Sequence, residues 1–277
     1  HGKVVLTGEG ADEVLAGYGW YRIEKALRPL ALVPAGLRRA LAPFLSRARP
    51  WTAGALVAPE ETGLPRFAAM MRPGEAKAAE RLLTPAFGHQ ALDGGTALDP
   101  VELPETLGRC HPLEQLQYLE LKTRLPDYVN LLVDRQAMAW SVEARLPFLD
   151  HELVEYCMQI PPSLKLRRRR EKYVLRRAMQ GIVPDEILRR RKRPLVAPHR
   201  RWMKGDLPGF AHELLGAEAL RAKGYFEARQ VERVRRAAAT GAHGASEAVL
   251  VVLAVQLWDE IFVRGWQPAL APAGAAA

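Results

Sequence analysis

Two carboxylates stand three residues apart near the start of the chain, in the sequence VVLTGEGADEVLAGY, which runs from Val4 to Tyr18. The glycines beside Glu9 and Asp12 would let backbone approach a ligand closely, and a helix beginning here would present free amide groups. One carboxylate could then hold Mg²⁺, while the other could orient or deprotonate a nucleophile. Plain N-terminal capping is the alternative, because the helix dipole alone favours acids in a first turn.

The elements around this turn are a short strand and a helix. The apolar run Val4-Val5-Leu6 ends at Thr7-Gly8, as a buried parallel strand would, and helical character runs from near Ala11 to about Leu27, where Pro29 ends it. Ligands bind at the carboxyl ends of strands in open α/β sheets, so the turn is a predicted ligand site. One strand followed by many helices does not complete an α/β domain, and we expect the rest of the sheet to come from elsewhere.

The rest of the chain is predicted to be helical. Pro34 to Gly108 indicates an irregular helical insert with no recognisable chemistry, and Pro268 to Ala277 indicates a disordered tail. We therefore assign residues 1–267 to part of one domain. The predicted helices downstream of the insert are Pro112 to Pro126, Asp127 (as N-cap) to about Ser141, Asp150 (as N-cap) to Pro161, Glu171 to Gln180, Asp185 to Arg190, Gln230 to Ala239 and Ser246 to Arg264.

Composition narrows the classes of function. The chain has 277 residues, a net charge of +9 and a pI near 9.8, with much of the positive charge in Arg167 to Arg170 and Arg189 to Arg193. These runs are read as solvated helix ends, or as an electrostatic funnel for a phosphate-bearing small molecule. Nucleic acid is a third and less favoured ligand for these runs, because no aromatic side chains on which bases could stack are interleaved with them.

Neither a disulfide framework nor a membrane span is indicated. The two cysteines, Cys110 and Cys157, match no metal motif and are too few to form such a framework. The most apolar stretch, Ala248 to Trp258, is too short to cross a bilayer. We expect a cytoplasmic protein.

Three blocks of sequence carry a resemblance to a known family. The opening turn resembles LSGEGxDExxxGY in the synthetase domain of asparagine synthetases. DRQAMAWSVEARLPFLDHELVEY is similar to that family's DRxxMAxSxExRxPFLDxxLVE block, and LKLRRRREKYVLRRAMQGIVPDEILRRRKRP resembles its LKxxxxxxKxxLRxAxxxxLPxxIxxRxK block. The blocks occur in the right order between Val4 and Pro194, and on them the chain is identified as a member of the family.

The resemblance implies a fold and a reaction. The parent fold is an α/β, adenine nucleotide alpha-hydrolase-like parallel sheet, of which this chain would supply a mostly α-helical part with one N-terminal strand. ATP would adenylate a carboxylate, usually that of aspartate, with release of pyrophosphate. Ammonia, produced from glutamine by a separate glutaminase domain, would then attack the acyl-adenylate.

The resemblance also implies roles for individual residues. Asp12 matches a Mg²⁺ ligand on the pyrophosphate side, and Glu9 matches a carboxylate at the acyl-adenylate and ammonia site. Tyr18 is expected either to hydrogen-bond the substrate or to pack its ring under the turn.

The matching basic residues lie in the third block. Lys172 matches a lysine that contacts the phosphates as pyrophosphate leaves, and Arg170 could share that task. The backbone at Gly8 and Gly10 is expected to approach the nucleotide, together with Glu9.

In the second block, Arg145 is expected to pair with an acid such as Glu143 or Asp150. A buried pair that fixes the shape of the site is favoured over recognition of the substrate carboxylate.

Several features of the family are missing from the sequence. It contains no SGGxDS loop for the ATP phosphates, and neither Cys110 nor Cys157 has the context of a glutaminase nucleophile. We therefore expect a C-terminal fragment, inactive alone, whose partners are the missing glutaminase and ATP-loop region.

Two departures within the third block leave the acceptor substrate open. Arginines at Arg167 to Arg170 stand where glycines are expected, and RKRPLVAPHRRW replaces an expected glycine-phenylalanine. Relatives that close β-lactams, cyclise peptides or amidate other carboxylates are alternatives. A non-catalytic, basic helical scaffold is a further alternative, although a scaffold has no use for both Glu9 and Asp12.

Overall fold

The computed structural model describes the chain in nine ranges: residues 2–34, 36–38, 40, 67–68, 79–93, 101–192, 198–205, 207–242 and 244–266. The chain forms two compact units. The first unit comprises His1–Met71 and Ala97–Pro194, and the second comprises Arg72–Thr96 and Leu195–Ala277.

Most of the regular structure is helical, as predicted. The elements, in chain order, are β1 (Val4–Leu6), α1 (Ala11–Val14), α2 (Gly19–Leu27), α3 (Pro85–Asp93), α4 (Pro112–Lys122), α5 (Leu131–Met138), β2 (Glu143–Arg145), α6 (His151–Gln159), α7 (Pro162–Lys165), α8 (Tyr173–Ala178), α9 (Asp185–Arg189), α10 (His199–Trp202), α11 (Gly209–Leu214), α12 (Ala217–Lys223), α13 (Ala228–Ala239) and α14 (Ala245–Trp258). Short 3₁₀ segments cover Arg28–Leu32, Glu105–Arg109 and Pro147–Leu149, and π-helical turns cover Leu125–Asn130 and Asp259–Val263.

The prediction of a single strand is wrong. β2 pairs in parallel with β1, and Leu6 lies opposite Arg145 in the register. The amide of Thr7 continues the ladder by donating to the carbonyl oxygen of Arg145 over 2.9 Å. The sequence of β2, Glu-Ala-Arg, has none of the apolar alternation that marks a strand, and pairing with β1 is what gives it this conformation.

The sheet is open to solvent. Val4 and Val5 are each more than two-fifths exposed, and Leu6 is 70% exposed. Parallel strands are normally covered on both faces, so within the described residues this apolar surface lacks its usual cover.

The predicted continuous helix from Ala11 to Leu27 is also wrong, because the chain folds into two helices with a turn between them. Ala16 takes a left-handed backbone conformation (φ 56°), and the amide of Gly17 donates to the carbonyl oxygen of Asp12 over 2.8 Å. This is the bond that closes a helix in a Schellman motif. Asp12 lies in the first turn of α1, which has no side-chain cap, so the alternative in which the helix dipole alone favours the acid stays open.

The core of the first unit forms where α2 packs against α4. Tyr21, Leu116 and Leu119 are buried in it, each at most 2% exposed. His111 and Glu114 form a capping box that starts α4, and the helix ends at Lys122. The core thereby fixes α2 and the turn before it.

The predicted cap at Asp127 is wrong, whereas the cap at Asp150 is confirmed. Asp127 lies inside the π-helical turn, and α5 ends at Met138 rather than near Ser141. The Asp150 carboxylate accepts the amide of Leu153 over 3.2 Å and starts α6.

The four predicted helices that follow are confirmed, with ends that shift by a few residues. They are α8 for Glu171 to Gln180, α9 for Asp185 to Arg190, α13 for Gln230 to Ala239, and α14 with its π-helical turn for Ser246 to Arg264.

The second unit is built on the contact between α13 and α14, where Val231, Val249 and Val252 are fully buried. Residues 79–93 belong to this unit, since the Thr84 hydroxyl donates to the carbonyl oxygen of Gly224 over 2.7 Å. Within the part of the chain that the structure describes, no helix is both long enough and apolar enough to span a membrane.

Parts of the predicted organisation lie outside the described residues. Of the predicted insert, Pro34 to Gly108, the structure describes α3 and the start of the 3₁₀ segment Glu105–Arg109, among other short pieces. The predicted disordered tail lies wholly outside. The assignment of residues 1–267 to one domain stays a prediction.

Replacing Asp150 with alanine should lower the free energy of unfolding by about 1 kcal/mol, because the first turn of α6 loses its side-chain acceptor. Asp150→Asn is the matched control, since asparagine is an equally good cap, and it should stay close to the parent. Urea unfolding followed by circular dichroism measures both. Equal losses in the two variants would show that the negative charge, and not the cap, is what stabilises this turn.

Candidate active site

The Asp12 carboxylate lies between two lysines from distant parts of the first unit. Its Oδ1 is 3.1 Å from Nζ of Lys172, and its Oδ2 accepts a hydrogen bond from Nζ of Lys192 over 2.7 Å. All three side chains are less than one-third exposed. Because this environment excludes much of the water, each charge depends on the others for compensation.

Gly17 makes this arrangement possible by having no side chain. A Cβ atom on Gly17 would lie 1.9 Å from Oδ1 of Asp12 and 2.3 Å from Cε of Lys172. A larger residue at this position would have to displace both charged side chains.

Lys172 has an unusual backbone conformation. It precedes α8 in the left-handed region, with φ 49° and ψ 39°. A non-glycine residue in this region carries a cost, and such residues cluster at functional sites. The observed consequence is a lysine side chain aimed at Asp12 from the start of a helix.

Two polar atoms of the opening turn are buried without a partner. Oγ1 of Thr7 and Oε2 of Glu9 are both shielded from solvent, and neither makes a hydrogen bond within the described residues. A buried carboxylate oxygen without a donor is costly, so Glu9 has the character of a ligand-binding acceptor.

Gly10 lies where the opening turn contacts the second of the three sequence blocks. Its φ of +89° favours glycine, and a Cβ atom there would lie 2.2 Å from Cδ2 of Leu149. The turn thus packs directly against Phe148 and Leu149 of the PFLD string.

Tyr18 packs beside the turn and hydrogen-bonds a buried acid. Its hydroxyl donates to Oε1 of Glu13 over 2.5 Å, and its ring stacks on Trp20 with centroids 4.0 Å apart. Burial, together with the hydrogen bond to Glu13, raises the pKa of Tyr18 well above its ordinary value. The hydroxyl is engaged with protein here, and its predicted contact with substrate stays a prediction.

Arg124 covers this aromatic pair. Its guanidinium lies 4.4 Å from the Tyr18 ring centroid and 5.0 Å from that of Trp20, within range of a cation–π contact. It also lies 3.7 Å from Oε1 of Glu13 and 2.7 Å from Oε2 of Glu120. Arg124 therefore holds two buried acids under the turn.

Burial affects the pKa values of Glu120 and Arg124 in opposite directions. Burial raises the pKa of Glu120 to about 7, against the opposing effect of Arg124. Burial alone would lower the pKa of Arg124, but the charges and hydrogen bonds of Glu120 and Tyr18 together outweigh it and raise that pKa. The Glu120 carboxyl, fully buried, is the group in this layer that titrates near neutral pH.

The remaining residues predicted for the site do not take part in the contact between Asp12 and the two lysines. Gly8 is exposed, and Arg170 lines a basic cavity that also includes Lys192. Arg145 pairs with Glu143 over 2.9 Å as predicted, but both side chains are more than half exposed. The expectation that this pair is buried is wrong, because both residues lie on the uncovered strand β2.

The structure brings Asp12 and Lys172 together, and it adds residues that sequence reasoning missed. Lys192 falls on the lysine of the RxK string in the third block, which is a signal that could have identified it. Arg124 and Glu120 lie outside all three blocks. They are four residues apart in the sequence, and this spacing does not indicate that Arg124 also contacts Glu13 of the opening segment.

Mg²⁺ does not fit these residues as they stand. Both oxygens of Asp12 already contact ammonium groups, and the described residues contain no group of three or more His, Cys, Asp or Glu side chains that could hold a metal ion. The metal-binding role of Asp12 stays a prediction.

Comparison with known sequences identifies the family. Residues 1–260 match the family described as asparagine synthase. The chain belongs to the asparagine synthase family. This is a family of amide ligases that uses ATP, and its domain implies an adenine nucleotide alpha-hydrolase fold.

Three relatives illustrate the range of similarity. A Mycobacterium tuberculosis protein, provisionally named asparagine synthetase [glutamine-hydrolyzing], is 31% identical over 95% of this chain. Asparagine synthetase [glutamine-hydrolyzing] 1 of Bacillus subtilis is 29% identical over 78% of it, and amidase chyE of Penicillium rubens is 31% identical over 81%. The chain spans only 40%, 34% and 36% of the lengths of these relatives, respectively.

Replacing Gly17 with alanine should separate Asp12 from Lys172, because the new methyl group would overlap both side chains. We expect a loss of roughly 1–3 kcal/mol in the free energy of unfolding, typical of overpacking. Gly19→Ala is the matched control, since a Cβ atom at Gly19 meets nothing within 4 Å. Urea unfolding of the two variants tests the difference. A Gly17 variant as stable as the Gly19 variant would contradict the close approach.

Glu120 should make stability depend on pH. Its pKa is raised on folding to about 7, so the folded state binds more protons than the unfolded state between about pH 4.5 and 7. The free energy of unfolding should therefore fall as pH rises through this window, by on the order of 3 kcal/mol in total.

Glu120→Gln should remove this pH dependence, because the amide does not titrate. The control is Glu152→Gln, at an exposed position on α6. Urea unfolding at several pH values between 4.5 and 8 provides the measurement. Parallel curves for the parent and Glu120→Gln would show that Glu120 is not the titrating group.

Proposed function

We propose that this chain forms the amide-forming part of an ATP-dependent ligase, in which a substrate carboxylate is adenylated and then attacked by ammonia. The observation that carries the proposal is the buried, unpartnered oxygen of Glu9, three residues before the Asp12 carboxylate that two lysines hold. A shielded acceptor three residues from a carboxylate that holds two cations suits a reaction in which an amine attacks an adenylated carboxylate.

Glu9 would act on the attacking amine. Its free oxygen can accept a hydrogen bond from ammonia and orient the nitrogen lone pair toward the activated carbonyl carbon. As the new C–N bond forms and the bond to AMP breaks, the amine must lose a proton, and the carboxylate is placed to accept it.

Lys172 would act on the leaving group of the first step. When the carboxylate attacks the α-phosphate, pyrophosphate departs with increasing negative charge, which a fixed ammonium group stabilises. Asp12 would serve as the positioning residue for Lys172, because it holds that ammonium group at 3.1 Å. The backbone at Gly8 and Gly10 would give the nucleotide close access to the turn.

The exposed sheet supports the proposal that a further part of the enzyme binds here. β1 leaves Val4, Val5 and Leu6 uncovered, and parallel sheets in this fold class continue on both sides. The relatives are more than twice as long as the chain. An adjoining region would supply the remaining strands, the loop for the ATP phosphates and the glutaminase that produces ammonia.

Aspartate is the proposed acceptor, since the relatives include proteins named asparagine synthetase. A second candidate is a different carboxylate, and the four-arginine turn favours it because it changes the charge of a loop near Lys172. The similarity to a protein named as an amidase is consistent with variation in the acceptor.

Glu9→Gln should lower the rate of amide formation by about 10²- to 10⁴-fold, because the amide side chain cannot accept the proton of the amine. Lys172→Met should lower the rate of pyrophosphate release by about 10²- to 10³-fold. Both rates are measured on the full-length protein with ATP, aspartate and ammonia, by a pyrophosphate assay and by amino-acid analysis. Glu186→Gln, at an exposed position on α9, is the control.

Measuring adenylation and amide formation separately distinguishes the role of Lys172 from that of Glu9. Glu9→Gln should still release pyrophosphate in the absence of ammonia, whereas Lys172→Met should not. Parent-like rates in both variants would refute the proposed chemistry. A parent enzyme that turns over another carboxylate but not aspartate would refute only the choice of acceptor.

A further inference from the structure

A fully buried lysine and a fully buried glutamine lie in series behind the opening turn. Lys165, at the end of α7, and Gln117, on α4, are both 0% exposed. Nζ of Lys165 donates to Oε1 of Gln117 over 3.2 Å, and Nε2 of Gln117 donates to the backbone carbonyl oxygen of Glu13. These two bonds form a relay that connects the third sequence block to α1 through a helix that belongs to none of the three blocks.

The two ends of the relay determine which way the Gln117 amide faces. An ammonium group has only donors and a backbone carbonyl group has only acceptors, so the amide oxygen faces Lys165 and the amide nitrogen faces Glu13. A reversed amide would set donor against donor at Lys165 and oxygen against oxygen at Glu13. Lys165 thereby favours the one orientation in which Gln117 can bind α1.

The carbonyl group of Glu13 needs a donor from outside its own helix. α1 has only four residues, and the last carbonyl groups of an α-helix have no donor within the helix. In the turn that follows, the amide of Gly17 donates to Asp12 rather than to Glu13. Gln117 supplies the donor instead, and so ties the end of α1 to α4.

Burial of Lys165 is costly for the folded chain. Among the described residues it makes no ion pair, and its one side-chain hydrogen bond is to a neutral amide. A buried ammonium group without a counter-ion is unfavourable, and an apolar side chain of similar length would avoid that cost. Packing alone therefore does not explain a lysine at this position, whereas a need to orient Gln117 does.

The segment that carries Lys165 also carries Lys172, which contacts the Asp12 carboxylate over 3.1 Å. This segment thus reaches neighbouring residues of α1 at two points, the backbone of Glu13 through the relay and the side chain of Asp12 directly. We propose that Lys165 and Gln117 are positioning residues, which hold the α1 backbone where the Asp12 carboxylate meets Lys172. The effect on the reaction rests on the proposed function, while the tie to α1 does not.

The relay should affect the rate of the first step more than substrate binding. Under the proposed function Lys172 stabilises the charge that develops as pyrophosphate leaves, and a misplacement of about 1 Å can cost on the order of 10²-fold in rate. An interaction that acts only in the transition state changes kcat and leaves KM nearly constant. Loss of the relay should therefore lower kcat for pyrophosphate release.

Hydrogen exchange, measured by mass spectrometry on the full-length protein, tests the tie to α1 without reference to activity. Gln117→Met should raise the exchange rate of the peptide that covers residues 10–18 by about tenfold or more, because a short helix opens more easily once its end is released.

Gln115→Met is the matched control for this variant. Gln115 is on the same helix and is 1% exposed, and its Nε2 also donates to a buried-side backbone carbonyl oxygen, that of Cys110, which lies before α4 and not in α1. The control should change exchange in the peptide of residues 10–18 by less than about twofold.

Two further variants test whether Lys165 acts through Gln117. Lys165→Met alone should raise exchange in the same peptide by about threefold or more, but in the Gln117→Met background it should add less than about twofold. Gln117→Glu keeps an acceptor for Lys165 but has no donor for Glu13, so it should resemble Gln117→Met. Circular dichroism verifies that each variant is folded.

Pyrophosphate release by the same full-length proteins, with ATP and aspartate, tests the role in the reaction. Gln117→Met should lower kcat by about tenfold or more while KM changes by less than about threefold, and Gln115→Met should leave both close to the parent. A purely structural role would instead lower activity in both variants in proportion to the folded fraction.

Equal exchange in the Gln117→Met and Gln115→Met proteins would overturn the inference. A parent-like kcat in Gln117→Met would do the same, as would independent, multiplying effects of the Lys165 and Gln117 substitutions. A full-length parent that shows the expected exchange pattern but releases no pyrophosphate would refute the proposed function and leave the tie between the relay and α1 standing.

Discussion

The contact of Asp12 with Lys172 and Lys192 is the interaction on which the first unit's chemistry depends. It links the opening turn to two segments more than 150 residues away, and it places one carboxylate and two ammonium groups where water is partly excluded. Removing Asp12 would leave both ammonium groups without their shared counter-charge in that environment. The turn therefore owes its shape to long-range electrostatics as much as to its own glycines.

Both close packing and neighbouring charges support this contact. Gly17 and Gly10 provide the space for it, while Glu13, Arg124 and Glu120 form a buried layer beneath. Within this layer Glu13 meets Tyr18 and Arg124, and Oε2 of Glu120 meets Arg124, whereas Oε1 of Glu120 has no hydrogen-bond partner within the described residues. Oε2 of Glu9 likewise has no such partner, but Glu9 lies in the opening turn, where we propose that it meets the substrate amine.

Sequence reasoning captured features that depend on local chemistry. Helical periodicity predicted α8, α9, α13 and α14, and the cap at Asp150 followed from the short acidic side chain before an apolar run. Features set by distant partners were missed. β2 is a strand only because β1 lies beside it, and the Asp12 and Lys172 side chains come together against Gly17 from positions 160 residues apart. The resemblance brought Asp12 and Lys172 into one hypothesis, but nothing local pointed to Arg124.

The parallel pairing of β1 with β2 has a consequence for biosynthesis. Val4 leaves the ribosome about 140 residues before its partner Glu143, so the first strand waits several seconds, at typical translation rates, without its hydrogen-bonding neighbour. During that interval an apolar strand with free edges is a template for unwanted association. Lys192 emerges later still, so its contact with Asp12 can form only after that segment has been made, and chaperone occupancy of the nascent β1 segment is the expected cellular remedy.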